Sequence, residues 1–390
     1  MLDALMAGPE SDFLAELANL EREGLLRRPV VVDGDQRIEG RIDGRPVVVF
    51  CSNDYLGLAS HPDLLHAARH ALEATGIGGG ASRLVSGTHP VHLAAERTCA
   101  AWVGLPSALL FSSGYAANVG ALSTVLGRGD VAFSDALNHA SLIDGLRLSR
   151  ADVHVYPHRD IAALESALAS HRASGKRAWI ITDAVFSMDG ALAPLRELRA
   201  LADRYEAGLY VDEAHAIGLL GDGRGACAEL DVRPDALLGT LGKAAGVGGA
   251  FVAGSDSLRR LLENRARGYV FSTAVPPLLA AIIQRAAELA AGAHHRRRTV
   301  EAYVAQLRTG LRDLGWDVPD GRGAILPVIV GEPARTMALS SELLRRGIFV
   351  QGIRPPTVPA GTSRLRIVPT AGHRPAHVRQ LLDAMGELRA

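Results

Sequence analysis

The sequence predicts an α/β fold with a mostly parallel central sheet flanked by helices and a smaller α+β domain at the C-terminal end. Three features predict it. Short apolar runs alternate with amphipathic helical stretches from about residue 106, polar residues close several of those runs, and the rhythm breaks only towards the two ends of the chain. A chain of 390 residues is long enough for two domains with an extra arm. The division expected is 1–47 for the arm and short strands, 48–285 for the large domain and 286–390 for the small one.

Residues 1–28 read as a helical arm, followed by "VVVD", "RIEG" and "RPVVVF" as short strands separated by Gly and Asp turns. The alternation then begins. "ALLF" precedes "YAANVGALSTVL", "VAF" precedes "HASLIDGLRLS", and "VHVY" precedes "IAALESALASH". "RAWIITD" precedes "PLRELRALADRY", and "GLYVDEAH" follows. Such βαβ units cover both faces of a parallel sheet, and ligands of these sheets sit beyond the carboxyl ends of the strands. A long helical stretch from about Pro276 to Leu314 leads into "AILPVIV", "TMALSSELLRRG", "IFVQG", "RLRIVP" and a last helix, the mixture that marks the small domain.

Composition excludes several classes. The 42 basic and 42 acidic residues cancel, so no overall field favours nucleic acid or an anionic membrane, and no segment is apolar enough to span a bilayer. The run His294-His295-Arg296-Arg297-Arg298 is read as a solvated helix face, with phosphate binding as the alternative. Cys51, Cys99 and Cys227 are far apart with no metal-ligand spacing, which predicts a reduced, cytoplasmic setting and no metal site. The N-terminus carries acids early and does not read as a signal peptide.

The polar strand ends are Ser113-Gly114-Tyr115, Asn138-His139, Asp183 to Ser187, Asp212 to His215, and Thr240 with Lys243. Ser113 opening a helix is an N-cap or part of an anion site. His139 is a packed histidine or a ligand contact. Of Asp212 and Glu213, successive strand residues, only one is expected to point into a site. Lys243 stands in "TLGKAAG", where small neighbours let a ligand approach and desolvation makes the amine a better nucleophile toward a carbonyl. A P-loop is excluded by Leu237 and Ala244, which stand where glycine and a hydroxyl residue are needed. A lysine that can form an imine, an acid for a ring nitrogen, a histidine for stacking and a helix start for phosphate together match pyridoxal phosphate.

With "SNDYLGL", "GGGASRLVSGTHPVHLAAE", "FSSGYAAN", "NHASLIDG", "TDAVFSMDG", "VDEAHAIG", "TLGKA", "FSTAVPP" and "RPPTVPAGTSRLRI", the chain resembles the pyridoxal-phosphate-dependent α-oxoamine synthases of the fold-type I aminotransferase class, from residue 52 to residue 367. The resemblance implies that Lys243 holds the cofactor covalently and moves the substrate's α-proton, that Asp212 pairs with the ring nitrogen, and that His139 stacks on the ring. It further implies that Ser187 and His215 bond the phenolic oxygen, and that Ser113, Gly114, Tyr115 and Thr240 hold the phosphate with Thr273 of a second subunit, hence a homodimer. "RPPTVPAGTSRLR" is most similar to the biotin-pathway branch, whose substrates are L-alanine and a pimeloyl thioester on coenzyme A or acyl carrier protein. For that branch Arg354 is the expected carboxylate clamp, with Asn53, Thr357 and Arg27, taken over its neighbour Arg28, as further substrate contacts. The pattern departs at Ala245 and Gly248, small residues that would widen the acyl channel. The alternatives are another α-oxoamine synthase, using glycine or a different thioester, and a non-catalytic binding protein on the same fold.

Overall fold

The computed structural model describes residues 8–35, 37–172 and 175–389. The elements in order are α1 (Pro9–Arg22), β1 (Glu39–Ile42), β2 (Arg45–Val49), α2 (Pro62–Thr75), α3 (Pro90–Val103), β3 (Ser107–Phe111), α4 (Gly114–Val125), β4 (Val131–Asp135), α5 (Ala140–Ser149) and β5 (Asp152–Tyr156). Next come α6 (Ile161–Arg172), β6 (Ala178–Asp183), α7 (Leu195–Arg204), β7 (Gly208–Asp212), α8 (Ala226–Glu229), β8 (Ala236–Thr240), β9 (Ala250–Gly254), α9 (Asp256–Arg265), α10 (Arg267–Val270) and α11 (Pro277–Ala291). The chain ends with α12 (His294–Asp313), β10 (Leu326–Gly331), α13 (Pro333–Arg345), β11 (Ile348–Phe349), β12 (Gln351–Ile353), β13 (Ser363–Ile367) and α14 (Pro375–Glu387).

The central sheet has seven strands in the order β3-β9-β8-β7-β6-β4-β5. All neighbours from β8 through β5 are parallel, and β9 runs antiparallel between β3 and β8. The two-residue period of a strand separates its core residues onto opposite faces. Ile180, Leu209, Val211 and Leu237 enter one apolar cluster, whereas Ile181, Tyr210 and Leu238 enter the other. Helices cover both faces, so these runs are apolar throughout rather than alternating with polar residues.

The two ends of the chain meet. β2 pairs antiparallel with β1 and parallel with β11, in a three-stranded sheet formed from residues about 300 positions apart. A second small sheet, β10-β13-β12, is antiparallel and packs on α13. Both sheets stand beside the carboxyl ends of the central strands.

The basic run at the start of α12 is divided: His294, His295 and Arg298 are exposed, whereas Arg296 and Arg297 turn inward. Arg297 is buried and donates to the Ala290 and Ala291 carbonyls at the end of α11, and Arg296 donates to the Leu56 carbonyl. Guanidinium groups here satisfy carbonyls left open by a helix end and a loop. Among the described residues no helix is long and apolar enough to cross a membrane, and no group of three or more His, Cys, Asp or Glu is arranged to hold a metal ion.

Candidate active site

Three neighbouring strands end in polar residues that lie beneath the cleft lined by Lys243, His139 and His215, close enough for their charges to act on Lys243. Asp183 closes β6 and Asp212 closes β7 as direct cross-strand partners, and both are buried. Two carboxylates so placed need cationic or hydrogen-bonding partners. Asp212 accepts from the Asn118 amide at 2.7 Å and from the Ala214 N–H at 2.9 Å. Asn118, on α4, also donates to Ser141 and accepts from the Tyr210 hydroxyl, which fixes its orientation. Asp183 accepts from the His139 N–H at 2.8 Å, and burial, reinforced by the charge of Asp212, raises its pKa well above the usual carboxylate range. Glu213 turns the other way and accepts from the Ala226 and Cys227 amides at the start of α8. Strand alternation thus leaves Asp212 as the acid on the side of Lys243 and His139.

Lys243 lies one turn beyond β8 in a loop held from two sides. Gly246 has φ +71°, and a Cβ there would lie 2.5 Å from the Ala59 nitrogen. Gly218 has φ +84°, and its Cβ would meet that of Ala244 at 2.4 Å. Only glycine fits these close approaches in a left-handed conformation, so the loop cannot shift without breaking both contacts. Burial lowers the pKa of the Lys243 amine, and the charges of Asp212 and Asp183 oppose that shift. The result is an amine closer to its neutral, nucleophilic form than a surface lysine.

Ser113 caps α4 and accepts from the Ala116 N–H at 3.1 Å. A Cβ at Gly114 would lie 3.6 Å from the Thr240 hydroxyl, so the absent side chain leaves an open cradle between a helix start and a strand end. Open amides at the N-terminus of a twelve-residue helix favour an anion. Tyr115 is half exposed and its hydroxyl donates to Asp144 at 2.6 Å. His139 caps α5, and its ring, anchored at 2.7 Å to the Ser141 hydroxyl, is exposed on the cleft side.

The cleft above this floor has a volume of about 510 Å³, within the range of small-molecule sites. It brings together Lys243, His139, His215, Ser187 and Asn53. Its wall adds Arg28 and Val30 from the segment after α1, and Phe349, Gln351, Ile353 and Arg366 from the small sheets. Arg366 donates to the Ser187 carbonyl at 2.7 Å and to Asn53 Oδ1 at 3.2 Å. Burial, with the charges of Lys243 and Arg366, holds the pKa of His215 well below its ordinary value, so its ring is neutral.

Some predicted residues lie elsewhere. Arg354 is outside the cleft lining, and Arg27 and Thr357 bond one another at 3.3 Å without lining it. Thr273 is exposed, bridged to Ser82. Ala245 is wholly buried in the core and Gly248 faces Leu279, so neither departure from the expected pattern widens this cleft. Tyr55 and Asn118 carry no role in the sequence reading; Asp183 stands there only as a polar strand end, Arg28 as the neighbour of Arg27, and Arg366 as the candidate after Arg354 for the carboxylate clamp. Tyr55 stands in the quoted "SNDYLGL", and Arg366 projects from the same face of β13 as Arg364, a period-two signal present in "SRLRI". Nothing local marks Asn118.

The family model for aminotransferase class I and II matches residues 45–385. The chain is 47% identical over 378 residues to an 8-amino-7-oxononanoate synthase of Herminiimonas arsenicoxydans, covering 95% of this chain and 97% of that one. It is 48% identical to that of Geobacter sulfurreducens, covering 96% of each. Among solved structures, a serine palmitoyltransferase of S. paucimobilis carrying a PLP–myriocin aldimine superposes with a TM-score of 0.91 at 29% identity, over 97% of this chain and 96% of that one. An 8-amino-7-oxononanoate synthase of Francisella tularensis does so with a TM-score of 0.76 at 25% identity, over 87% of this chain and 97% of that one.

Proposed function

Because the chain belongs to the 8-amino-7-oxononanoate synthase family, pyridoxal-phosphate-dependent acyltransferases of biotin biosynthesis on the class I and II aminotransferase fold, we propose that its cleft condenses L-alanine with a pimeloyl thioester. The acyl carrier is coenzyme A or acyl carrier protein, and the products are 8-amino-7-oxononanoate, carbon dioxide and the free thiol. The observation that carries this reading is the placement of Lys243 between a buried carboxylate floor and a wall that is apolar and cationic by turns.

The residues present fit the cofactor. The Gly114 cradle beside Thr240 suits a phosphate, the buried Asp212 suits a protonated ring nitrogen, and the open His139 ring suits a stacked aromatic face. When bound, pyridoxal phosphate supplies an aldehyde for the amino group and a ring that takes up the electron pair released at the α-carbon. Lys243 Nζ would hold it covalently, then remove the α-proton of alanine and return a proton before product leaves. Asp212 would keep the ring nitrogen protonated, while Ser187 and His215 would meet the ring oxygen. Ser113, the Gly114 and Tyr115 amides and Thr240 would hold the phosphate.

Arg366, which lines the cleft beside Asn53, is the better placed clamp for the alanine carboxylate than Arg354. Val30, Phe349 and Ile353 would cover the methylene chain and keep water from the thioester, with Arg28 the cation for the remote carboxylate. A homodimer is part of the proposal. Thr273 lies beside exposed Phe271, and its bridge partner Ser82 beside exposed Leu84 and Val85, an apolar edge suited to a second copy whose phosphate site Thr273 would complete.

The test is mass identification of the ketone formed from L-alanine or glycine with pimeloyl thioester, its terminal methyl ester, and acetyl and palmitoyl thioesters. The proposal expects alanine with the free pimeloyl thioester to dominate. Equal turnover of acetyl or palmitoyl thioester, or preference for glycine, would reject the substrate while leaving the acyltransferase chemistry in place.

A further inference from the structure

Tyr55 is wholly buried, and its hydroxyl lies 2.6 Å from His215 Nδ1 and 3.2 Å from Asn53 Oδ1. A phenol has one proton to give. Asn53 Oδ1 already receives Arg366 Nη2 at 3.2 Å, a charge-assisted donor, and its contact with Tyr55 is the longer by 0.6 Å. The short contact is near the lower limit for a hydrogen bond and takes the proton. His215 is neutral, so one of its nitrogens carries hydrogen and the other does not. If Nδ1 accepts from Tyr55, the hydrogen is on Nε2.

We infer that Tyr55 is a positioning residue that fixes His215 in its Nε2–H tautomer, so that the imidazole presents a donor, and not a lone pair, to the site. The inference rests on the proposed reading that His215 meets the ring oxygen of pyridoxal phosphate, because only a donor stabilises negative charge there. Without the Tyr55 hydroxyl, Nδ1 would be buried without a partner and the two tautomers would compete, one of them placing its lone pair against the oxygen anion. Burial raises the pKa of Tyr55, so the hydroxyl keeps its proton through the working pH range. The charged groups facing His215 are Lys243 and Arg366, with the His139 ring also near, and all of them keep it neutral. The contact thus runs in one direction: the Arg366 guanidinium donates to Asn53 Oδ1 and to the Tyr55 oxygen, and Tyr55 donates to His215.

Two measurements on the full-length protein test this with the variant Tyr55→Phe, which removes one oxygen and keeps the ring. Nitrogen-15 spectra of histidine-labelled protein before cofactor loading, with the His215 signals assigned by their loss in His215→Gln, report the tautomer directly. Wild type is expected to show a single Nε2–H form, and Tyr55→Phe a loss of that single pattern. After loading, the pH midpoint of the bound cofactor's visible absorbance is expected to rise in Tyr55→Phe by about one unit, the scale of one hydrogen bond to a charged oxygen. The rise follows because a ring oxygen with a weaker donor holds more charge and retains the neighbouring imine proton longer. An Nδ1–H form in the wild type, an unchanged histidine spectrum in Tyr55→Phe, or an unmoved midpoint would each overturn the inference. Failure of the wild type to make the ketone would sink the proposed function instead, and would leave the nitrogen-15 result standing.

Discussion

The floor of the cleft and its wall are built in opposite ways. The floor consists of the ends of β6, β7 and β8, adjacent parallel strands whose register brings Asp183 and Asp212 side by side and whose core residues are almost wholly buried. The wall is assembled from Arg28, Asn53, Gln351, Ile353 and Arg366, which meet through short sheets, a loop and a handful of side-chain bonds. A reaction centre needs groups held to fractions of an ångström, and strand ends in a packed sheet provide that. A surface that selects among substrates can be made of thinner contacts, because only the fit to the substrate has to be maintained.

The most severe break of the floor is Lys243→Ala. Only an amine at that position can form an imine and also carry a proton, so turnover should fall by at least about 10²–10⁴-fold, the range for loss of a positioned proton carrier alone. The thermal midpoint should change little, because Gly246 and Gly218 continue to hold the loop. Borohydride reduction followed by mass measurement should find no cofactor fixed to the protein. Cofactor still fixed in the variant would mean that the reactive amine lies outside the floor.

Asp212 and Glu213 sharpen the contrast, being adjacent buried acids aimed in opposite directions. Asp212→Ala should weaken cofactor binding by about 3–5 kcal/mol, the cost of leaving a buried charge partner unpaired. Glu213→Ala should leave cofactor affinity nearly unchanged and lower the unfolding free energy, since the Ala226 and Cys227 amides lose their acceptor at about 1–3 kcal/mol each. Cofactor titration and urea denaturation of both variants separate the two effects. Equal loss of cofactor affinity in both would mean that the floor does not distinguish them.

The same contrast governs what the sequence disclosed. Apolar runs followed by amphipathic stretches announced the parallel strands, and their polar closing residues singled out Asp212, His139 and Lys243, which the structure brings together, because strand, turn and polar residue are contiguous there. The direction of β9 was not legible, since an antiparallel strand reads like any short apolar run. Nor was the pairing of β2 with β11, which depends on contacts between segments about 300 residues apart. The wall suffered most from this. Whether Arg27 or Arg28, and Arg354 or Arg366, faces the cleft depends on tertiary contacts that no local pattern encodes; Arg28 and Arg366 line it. At the start of α12 the solvated-face reading holds for His294, His295 and Arg298, but Arg296 and Arg297 are taken up by carbonyls of distant or preceding segments, which the run itself does not reveal.

Within the wall, the paired variants Arg366→Ala and Arg354→Ala locate the amino acid carboxylate. Arg366→Ala should raise the alanine requirement about 10- to 100-fold, the scale of one hydrogen bond to a charged group, with the thioester requirement little changed. Lysine should rescue it poorly, since a point charge lacks the planar fork. Arg354→Ala should have a smaller effect on alanine. Steady-state kinetics with each substrate varied in turn decide this, and the reverse ranking would return the clamp to Arg354.

Acid should loosen the wall through His373, in addition to any loss through the neutral His215 beside Lys243. His373 is 4% exposed, its ring stacks on Phe50 at 4.1 Å, and Nδ1 accepts from the Thr370 N–H at 2.9 Å while Nε2 is buried without a partner. Burial first, and the neighbouring His377 next, lower its pKa to about 4, against opposing backbone hydrogen bonds. Between pH 6.5 and that value the unfolded chain takes up a proton that the folded ring refuses. The unfolded state therefore binds more protons, and stability falls as the pH falls. At pH 5 the difference is about 1.5 pKa units, or about 2 kcal/mol. Phe50 precedes the Cys51–Asn53 stretch of the wall and accepts from the Val368 N–H, so the loss is coupled to that side of the cleft. Urea denaturation at pH 7 and pH 5 should show a loss about 2 kcal/mol smaller in His373→Asn, which keeps an acceptor but cannot titrate. Amide exchange at pH 5 should increase around Phe50 to Tyr55 while β7 stays protected; earlier opening of β7 would mean that the floor is the weaker of the two.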